Sequence, residues 1–126
     1  MMLPEDEWVK KALKDLGSAK LILDSGSQYF DQVCFLCQQS IEKLLKAYLT
    51  KNKVEIAKTH DLVKLVGDSS KLNEEFLKWK NHALNITIYA IDFRYPGEEA
   101  TKEEALDAYQ KAEEFSKFIL NKLNEN

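Results

Sequence analysis

The chain has 126 residues, of which 44% are hydrophobic and 31% are charged, as in a globular protein with one hydrophobic core. Its net charge of −3 excludes a general attraction to nucleic acid or to a membrane surface. The acidic N-terminal segment is unlike a signal peptide, no apolar run is long enough for a membrane span, and two cysteines fit a reducing compartment. We therefore expect a cytoplasmic protein.

Apolar residues recur at steps of three and four along most of the chain, which predicts α-helices. The first helix is predicted over residues 5–25, where Pro4 precedes an acidic first turn and Gly26 ends the pattern. The second is predicted over residues 30–53. Its apolar stripe consists of Phe30, Val33, Cys34, Cys37, Ile41, Leu44, Leu45 and Tyr48. A polar row of Gln38, Glu42 and Lys46 runs beside that stripe at i, i+4 spacing.

Three further helices follow. A short one is predicted from residue 59 or 60 to residue 68, and a long one over residues 73–93, with Asn73 as a plausible N-cap. The fifth helix begins with a capping box, in which Thr101 is the N-cap and Glu104 stands three residues later. These elements predict a single all-α domain over residues 1–126, folded as an antiparallel up-and-down bundle of four long helices and one short helix.

The fourth predicted helix carries two apolar stripes. One stripe is Phe76, Trp79, Ala83, Ile86, Ala90 and Phe93, and the other is Leu77, Leu84, Ile88 and Ile91. A helix that is apolar on two faces lies either at the centre of a bundle or against another subunit. Because a chain of this size buries only one such face easily, we predict a homodimer that uses this helix.

Cys34 and Cys37 form a C-x-x-C sequence, but both fall on the core-facing stripe of the second helix. A redox-active pair is expected at the start of a helix that follows a strand. We therefore predict two buried, inert thiols. Combining these cysteines with His60 and His82 does not produce the spacing of a zinc site, and we predict neither a metal nor a cofactor.

His60 and Asp61 stand where the third helix begins, and two interpretations remain open. Thr59 or Asp61 can cap the free N–H groups of the helix. Alternatively, His60 lies in a pocket beside a helix N-terminus, where an anion such as a phosphate can bind with help from Lys58.

Arg94 is the single arginine of the chain, and it precedes a helix break at Pro96 and Gly97. The planar guanidinium group suits bidentate contacts to phosphate or carboxylate. The sequence shows no nucleophile–base pair in a known motif and no glycine-rich loop for phosphates. Arg94 is therefore the strongest single indication of a ligand site.

Four segments together resemble the HEPN domain family (higher eukaryotes and prokaryotes nucleotide-binding), in particular its small stand-alone prokaryotic members. The segments are residues 8–12 with Asp15, Leu16 and Ala19, residues 37–47, residues 58–62 and residues 94–96. The resemblance implies a helical bundle that usually dimerises and a nucleotide or RNA as ligand. It also implies a minimal nucleotidyltransferase as a possible partner, since such genes are often neighbours and many such pairs act as toxin–antitoxin systems.

Catalytic members of this family are metal-independent ribonucleases that use an arginine followed, after four to six residues, by a histidine. If Arg94 takes the first position, the second falls on Glu99, Ala100 or Thr101, and no histidine follows Arg94. Without an imidazole, no obvious group moves the 2′-hydroxyl proton near neutral pH.

The resemblance therefore implies a non-catalytic protein with Arg94 and Tyr95 at the ligand or dimer cleft. Further candidates for ligand contacts are Lys46, Lys58 and His60. Two alternatives remain open. One is a divergent ribonuclease that combines Arg94 with His60 or His82, and the other is a purely structural dimer in which Arg94 pairs with an acid.

Overall fold

The computed structural model describes residues 2–91 and 96–125. Within those residues helices are the only regular secondary structure, which confirms the predicted all-α bundle. The helices are α1 (Pro4–Asp24), α2 (Phe30–Lys51), α3 (Leu62–Ser70), a 3-10 helix (Glu74–Trp79), α4 (Lys80–Ile91) and α5 (Lys102–Leu123). The bounds of α1 and α2 and the start of α5 agree with the predicted ones to within two residues.

Helix α2 is the centre of the bundle. Thirteen of its 22 residues are buried, and it packs against α1, α3, α4 and α5. The predicted apolar stripe accounts for most of this burial, with Ile41, Leu44 and Leu45 fully enclosed. Any change in the position of α2 would therefore disturb every other α-helix.

Helices α1 and α5 cover two sides of α2 through small side chains. Ala12 and Ala19 of α1 and Ala105, Ala108 and Ala112 of α5 are all fully buried. Small residues allow the backbones to approach closely, and the hydroxyl of Ser40 donates to the Ala12 carbonyl over 2.8 Å. The predicted capping box of α5 is present as well, since the Glu104 N–H donates to the Thr101 hydroxyl and the Thr101 N–H to the Glu104 carboxylate.

The predicted fourth helix is not one continuous α-helix. Asn73 caps its first turn as predicted, but residues Glu74–Trp79 form a 3-10 helix and the α-helix begins only at Lys80. In a 3-10 helix, side chains at i and i+3 point in the same direction, so Phe76 and Trp79 enter one aromatic cluster. The predicted end at Phe93 lies outside the described residues.

That aromatic cluster explains why the tighter helix is favoured. Trp79 stacks on Phe115 with a centroid distance of 5.0 Å and an interplanar angle of 2°. Phe76 contacts Tyr48 at 4.6 Å and meets Phe118 edge-on at 5.0 Å. Aromatic pairs at such distances add about 0.5–1.5 kcal/mol each beyond the burial of apolar area, which offsets the poorer hydrogen-bond geometry of a short 3-10 segment.

Helix α4 buries one of its two apolar stripes. Ala83 and Ile86 are fully buried, whereas the second stripe remains exposed. The exposed fractions of that second stripe are 55% for Leu77, 46% for Leu84, 41% for Ile88 and 46% for Ile91. Helix α4 is therefore not the central helix, and its outer face, here called the outer stripe, is left uncovered by this chain. None of the helices in the described part of the chain is long and apolar enough to cross a membrane.

Candidate functional site

A cleft of about 720 Å³ opens between α2, the segment before α3, and the end of α4. Its lining residues are Phe35, Gln38, Gln39, His60, Asp61, Thr87, Ala90 and Ile91. Three segments that are far apart in sequence meet here because α2 packs against both α3 and α4. The volume is that of a small-molecule site.

A hydrogen-bonded network joins two of the lining residues, Gln38 and His60, to the buried carboxylate of Glu42. Its Oε2 accepts from the Lys46 ammonium over 3.0 Å. Its Oε1 accepts from Gln38 Nε2 over 3.2 Å and contacts Nδ1 of His60 over 3.0 Å. Gln38 Nε2 donates a second bond, over 3.1 Å, to the backbone carbonyl of His60. Helix α2 thus holds residue 60 by both its ring and its backbone.

The carboxylate of Glu42 is ionised despite its burial. Burial raises its pKa, but the hydrogen bonds from Lys46, His60 and Gln38 outweigh that effect and hold the pKa of the Glu42 carboxyl below its usual value. The Lys46 ammonium also lies 5.6 Å from the centroid of the Trp8 ring, a favourable cation–π distance. The polar row on α2 is therefore an internal charge network and not a solvated surface.

An ionised Glu42 determines the tautomer of His60. A carboxylate only accepts hydrogen bonds, so Nδ1 of His60 carries the proton and donates it. When the ring is neutral, Nε2 is then the acceptor nitrogen. The His60 side chain is 83% exposed, so the buried carboxylate orients an imidazole that solvent and a ligand can reach.

Asp61 is the N-cap of α3, as the first of the two interpretations predicted. Its Oδ1 accepts from the N–H groups of Val63 and Lys64, over 3.0 and 3.3 Å, and Thr59 accepts from the Asp61 N–H. Helix α3 consequently begins at Leu62, two or three residues later than predicted. Because the protein's own carboxylate occupies these donors, they are not available to an external anion.

The two cysteines are buried, as predicted. Cys34 and Cys37 are free thiols with no exposed surface. Burial raises the pKa of Cys34 to about 12 and that of Cys37 still further, so neither forms a reactive thiolate near neutral pH. In the part of the chain that the structure describes, no group of three or more His, Cys, Asp or Glu residues is arranged to hold a metal ion.

A family model of the HEPN domain matches residues 6–123. The chain belongs to the HEPN domain family. Two solved structures have the same fold as this chain. An archaeal HEPN homologue, ST0689, is 22% identical, has a TM-score of 0.78, and is covered over its full length by 98% of this chain. The protein TT1696 from Thermus thermophilus is 24% identical with a TM-score of 0.77, over 96% of this chain and 99% of that one. No protein with a curated description matches the chain.

Two of the three positions where a catalytic HEPN protein is expected to carry its histidine, Ala100 and Thr101, have structural roles in this chain. Ala100 is buried, and its N–H donates to the Asp31 carboxylate at the start of α2 over 2.7 Å. Thr101 is the N-cap of α5. A histidine at position 101 would remove the capping hydroxyl, and one at position 100 would have to fit where a buried methyl group now lies.

The sequence-predicted site residues of this HEPN domain do not all meet. His60 lines the cleft, Lys46 lies beneath it in the Glu42 network, and Lys58 is exposed but not among the lining residues. Arg94 and Tyr95 lie outside the described residues.

The contacts of His82 lie away from this cleft. Its Nε2 lies 3.2 Å from the carboxylate of Glu114 on α5, and its ring meets Trp79 edge-on. Among the described histidines, only His60 lines the cleft.

Of the eight residues that line the cleft, sequence reasoning named only His60 as a ligand contact, and Phe35, Gln39 and Thr87 are among those it missed. Phe35 carried a usable signal, because it is a large aromatic residue that falls outside the apolar stripe of α2. It is indeed 53% exposed. Gln39 and Thr87 carried none, since a single polar residue on a helix is ordinarily solvated.

Proposed function

We propose that this HEPN protein is a non-catalytic homodimer that binds a nucleotide or RNA in the cleft between α2 and α4. The observation that carries the proposal is the Glu42 network, which fixes an exposed histidine at the edge of a cleft of about 720 Å³. A purely structural helical bundle has no need of a buried ion pair in that place, since apolar residues of similar volume are commonly as stable.

The sequence order of the cleft supports a role for Arg94 and Tyr95. Ile91 is the last described lining residue on α4, and Arg94 and Tyr95 follow it after two further residues. In this proposal the Arg94 guanidinium binds a phosphate and Tyr95 adds a polar or stacking contact. His60 and Lys58 supply further contacts, whereas Lys46 acts indirectly by keeping Glu42 ionised.

The outer stripe supports the homodimer. Leu84, Ile88 and Ile91 lie at steps of four and three along α4, so they form one continuous apolar face. A second copy of the chain offers the same face, which makes a two-fold symmetric contact self-complementary. Because Ile91 belongs both to this face and to the cleft, a dimer built on α4 brings the two ligand sites close to its interface.

The family supports a protein partner as well. We propose a minimal nucleotidyltransferase, in an arrangement of the toxin–antitoxin type. Inspection of the adjacent genes is the observation that tests this partner.

Replacing Arg94 with alanine is expected to weaken binding of a short fluorescent single-stranded RNA about tenfold to a hundredfold. The change removes charge-assisted hydrogen bonds, which contribute about 1.5–3 kcal/mol each. Fluorescence anisotropy at fixed salt measures the effect, and circular dichroism verifies the fold. Lys20→Ala, which removes one exposed charge from α1, is the control and should change binding little. An Arg94→Ala protein that binds as the wild type does would contradict the assignment of Arg94.

A second candidate function is favoured by the Glu42–His60 pair. A histidine that donates Nδ1–H to a carboxylate has Nε2 free to accept a proton, as a general base requires. With Arg94 near the reacting phosphate, this pair supports a divergent metal-independent ribonuclease.

Incubating the pure protein with tRNA and mRNA in the presence of a chelator tests that candidate. If the protein is a ribonuclease of this kind, the wild type and His82→Ala should cleave RNA, whereas His60→Ala should not. Intact RNA after incubation with the wild type rejects the ribonuclease and leaves the binding function in place.

A further inference from the structure

The polar groups that line the cleft are mainly hydrogen-bond acceptors. The hydroxyl of Thr87 donates to the Ala83 carbonyl over 2.8 Å, so only the lone pairs of the Thr87 oxygen remain, and these can accept a hydrogen bond. Asp61 brings a carboxylate whose Oδ2 accepts no hydrogen bond from any described residue. His60 adds Nε2, an acceptor when the ring is neutral, because Nδ1–H is committed to Glu42.

Gln39 adds a fourth acceptor, and its orientation is held by its neighbour. The Gln39 amide nitrogen donates to the side-chain carbonyl of Gln38 over 2.8 Å. Gln38 is itself held, because its own amide nitrogen donates to Glu42 and to the His60 carbonyl. Within the described residues the Gln39 carbonyl oxygen accepts no hydrogen bond, and its second amide hydrogen has no acceptor. Gln39 thus keeps one acceptor and one donor that no described residue uses.

An acceptor-lined cleft selects against a phosphate in its interior. A phosphate group carries only acceptor oxygens and a negative charge, so the carboxylate of Asp61 would repel it. A group that donates hydrogen bonds, such as an exocyclic amino group, is complementary to the same wall. If a nucleotide binds here, its base therefore enters the cleft and its phosphates stay outside.

Phe35 supplies the face on which a base can stack. Its ring is 53% exposed although it lines the cleft, and exposing a large aromatic side chain forgoes about 1.5–3 kcal/mol of burial energy. Stacking of a base on an aromatic ring contributes about 1–3 kcal/mol. Ala90 and Ile91 add apolar surface on the α4 side.

We infer that the cleft binds the base of an adenine nucleotide, stacked on Phe35, with its 6-amino group donating to the Gln39 carbonyl oxygen. A glutamine amide pairs with the N6 and N7 positions of adenine through one acceptor and one donor, which are the two groups that Gln39 has free. A 6-oxo purine would place an acceptor oxygen against the Gln39 carbonyl. This inference rests on the proposed function and specifies the ligand of the same site.

Isothermal titration with AMP, IMP and ribose 5-phosphate tests the inference, because IMP keeps the ribose phosphate and the purine ring but has a 6-oxo group and an N1–H in place of the 6-amino group and the unprotonated N1 of AMP. AMP is expected to bind at least about tenfold more tightly than IMP, since the oxo group would leave polar groups in the cleft unpaired. Ribose 5-phosphate, which has no base to stack, is expected to bind at least about tenfold more weakly than IMP.

Two variants separate the contributions of the ring and the amide. Phe35→Ala should weaken AMP and IMP by a similar factor, and Phe35→Tyr should restore binding. Gln39→Ala should weaken AMP while IMP changes little, so that the preference disappears. Gln28→Ala, at an exposed position just before α2, is the matched control and should retain both affinities.

The outcomes distinguish this inference from the function on which it rests. Equal affinities for AMP and IMP, or ribose 5-phosphate bound as tightly as AMP, would overturn the adenine assignment while nucleotide or phosphate binding stands. Wild-type protein that binds none of the three probes and no RNA would overturn the proposed binding function itself.

Discussion

Replacing Glu42 with alanine is expected to lower the free energy of unfolding by about 3–5 kcal/mol, the cost of leaving a buried charge without its partner. Glu42 and Lys46 are the most enclosed ion pair in the described part of the chain, with side chains 5% and 11% exposed. The change also leaves Gln38 and the His60 ring without their acceptor. Urea unfolding followed by circular dichroism measures the effect.

A double variant shows whether the charge or the shape of the pair causes the loss. Glu42→Leu with Lys46→Met removes both charges and keeps the apolar volume, so it should regain at least half of the lost stability. It should not regain any function that needs an oriented His60. An unfolding free energy of Glu42→Ala within about 0.5 kcal/mol of the wild type would contradict the buried-pair account.

The same network predicts how stability depends on pH. The pKa of Glu42 is lower in the folded protein than its usual value, so its ionised form contributes stability above the unfolded pKa of about 4.3. That contribution is lost as pH falls through the folded pKa. The stability difference between wild type and Glu42→Gln should therefore shrink as pH falls below about 4.

The second large effect is expected on the oligomeric state. Ile88→Glu places a charge at the middle of the outer stripe, and two-fold symmetry places it there twice. Burying unpaired charges costs several kcal/mol, so the dimer dissociation constant should rise at least about a hundredfold. Sedimentation velocity at micromolar concentration should show the mass of two chains for the wild type and of one chain for the variant.

Leu13→Glu is the control for that experiment. Leu13 on α1 is 45% exposed, close to the 41% of Ile88, but it does not belong to the outer stripe. Its substitution should leave the mass at two chains. A wild-type mass of one chain at this concentration would reject the homodimer, and loss of the dimer in both variants would place the interface elsewhere.

The helices of the bundle were predictable because their signals are local. The apolar stripe of α2 and the capping box at Thr101 and Glu104 depend on residues three or four positions apart, and the structure has both. Residues Glu74–Trp79 were wrongly predicted as part of an α-helix and form a 3-10 helix. A step of three between Phe76 and Trp79 suits either helix type. Only the aromatic rings of Phe115 and Phe118, about 40 residues later, favour the tighter one.

The cleft was only partly predictable because its polar groups depend on distant partners. Gln38, Glu42 and Lys46 were recognised as a row, yet a polar row beside an apolar stripe normally faces solvent. The Glu42 carboxylate contacts His60, which is 18 residues away in the sequence, so this partner could not be predicted from α2 alone. His60 was a candidate from the start, while the role of Gln39 required knowing that Gln38 holds its amide.

The two walls of the cleft differ in how firmly the core holds them, because α2 is buried far more than α4. Helix α2 is enclosed by four other helices and cannot shift without disrupting the core. Helix α4 fully buries only Ala83 and Ile86, so displacing it would disturb less of the core than displacing α2. Since α4 also carries the outer stripe, a ligand that fixed the position of α4 would also change the association of two copies in the proposed dimer. By thermodynamic linkage, association would then change the ligand affinity by the same factor.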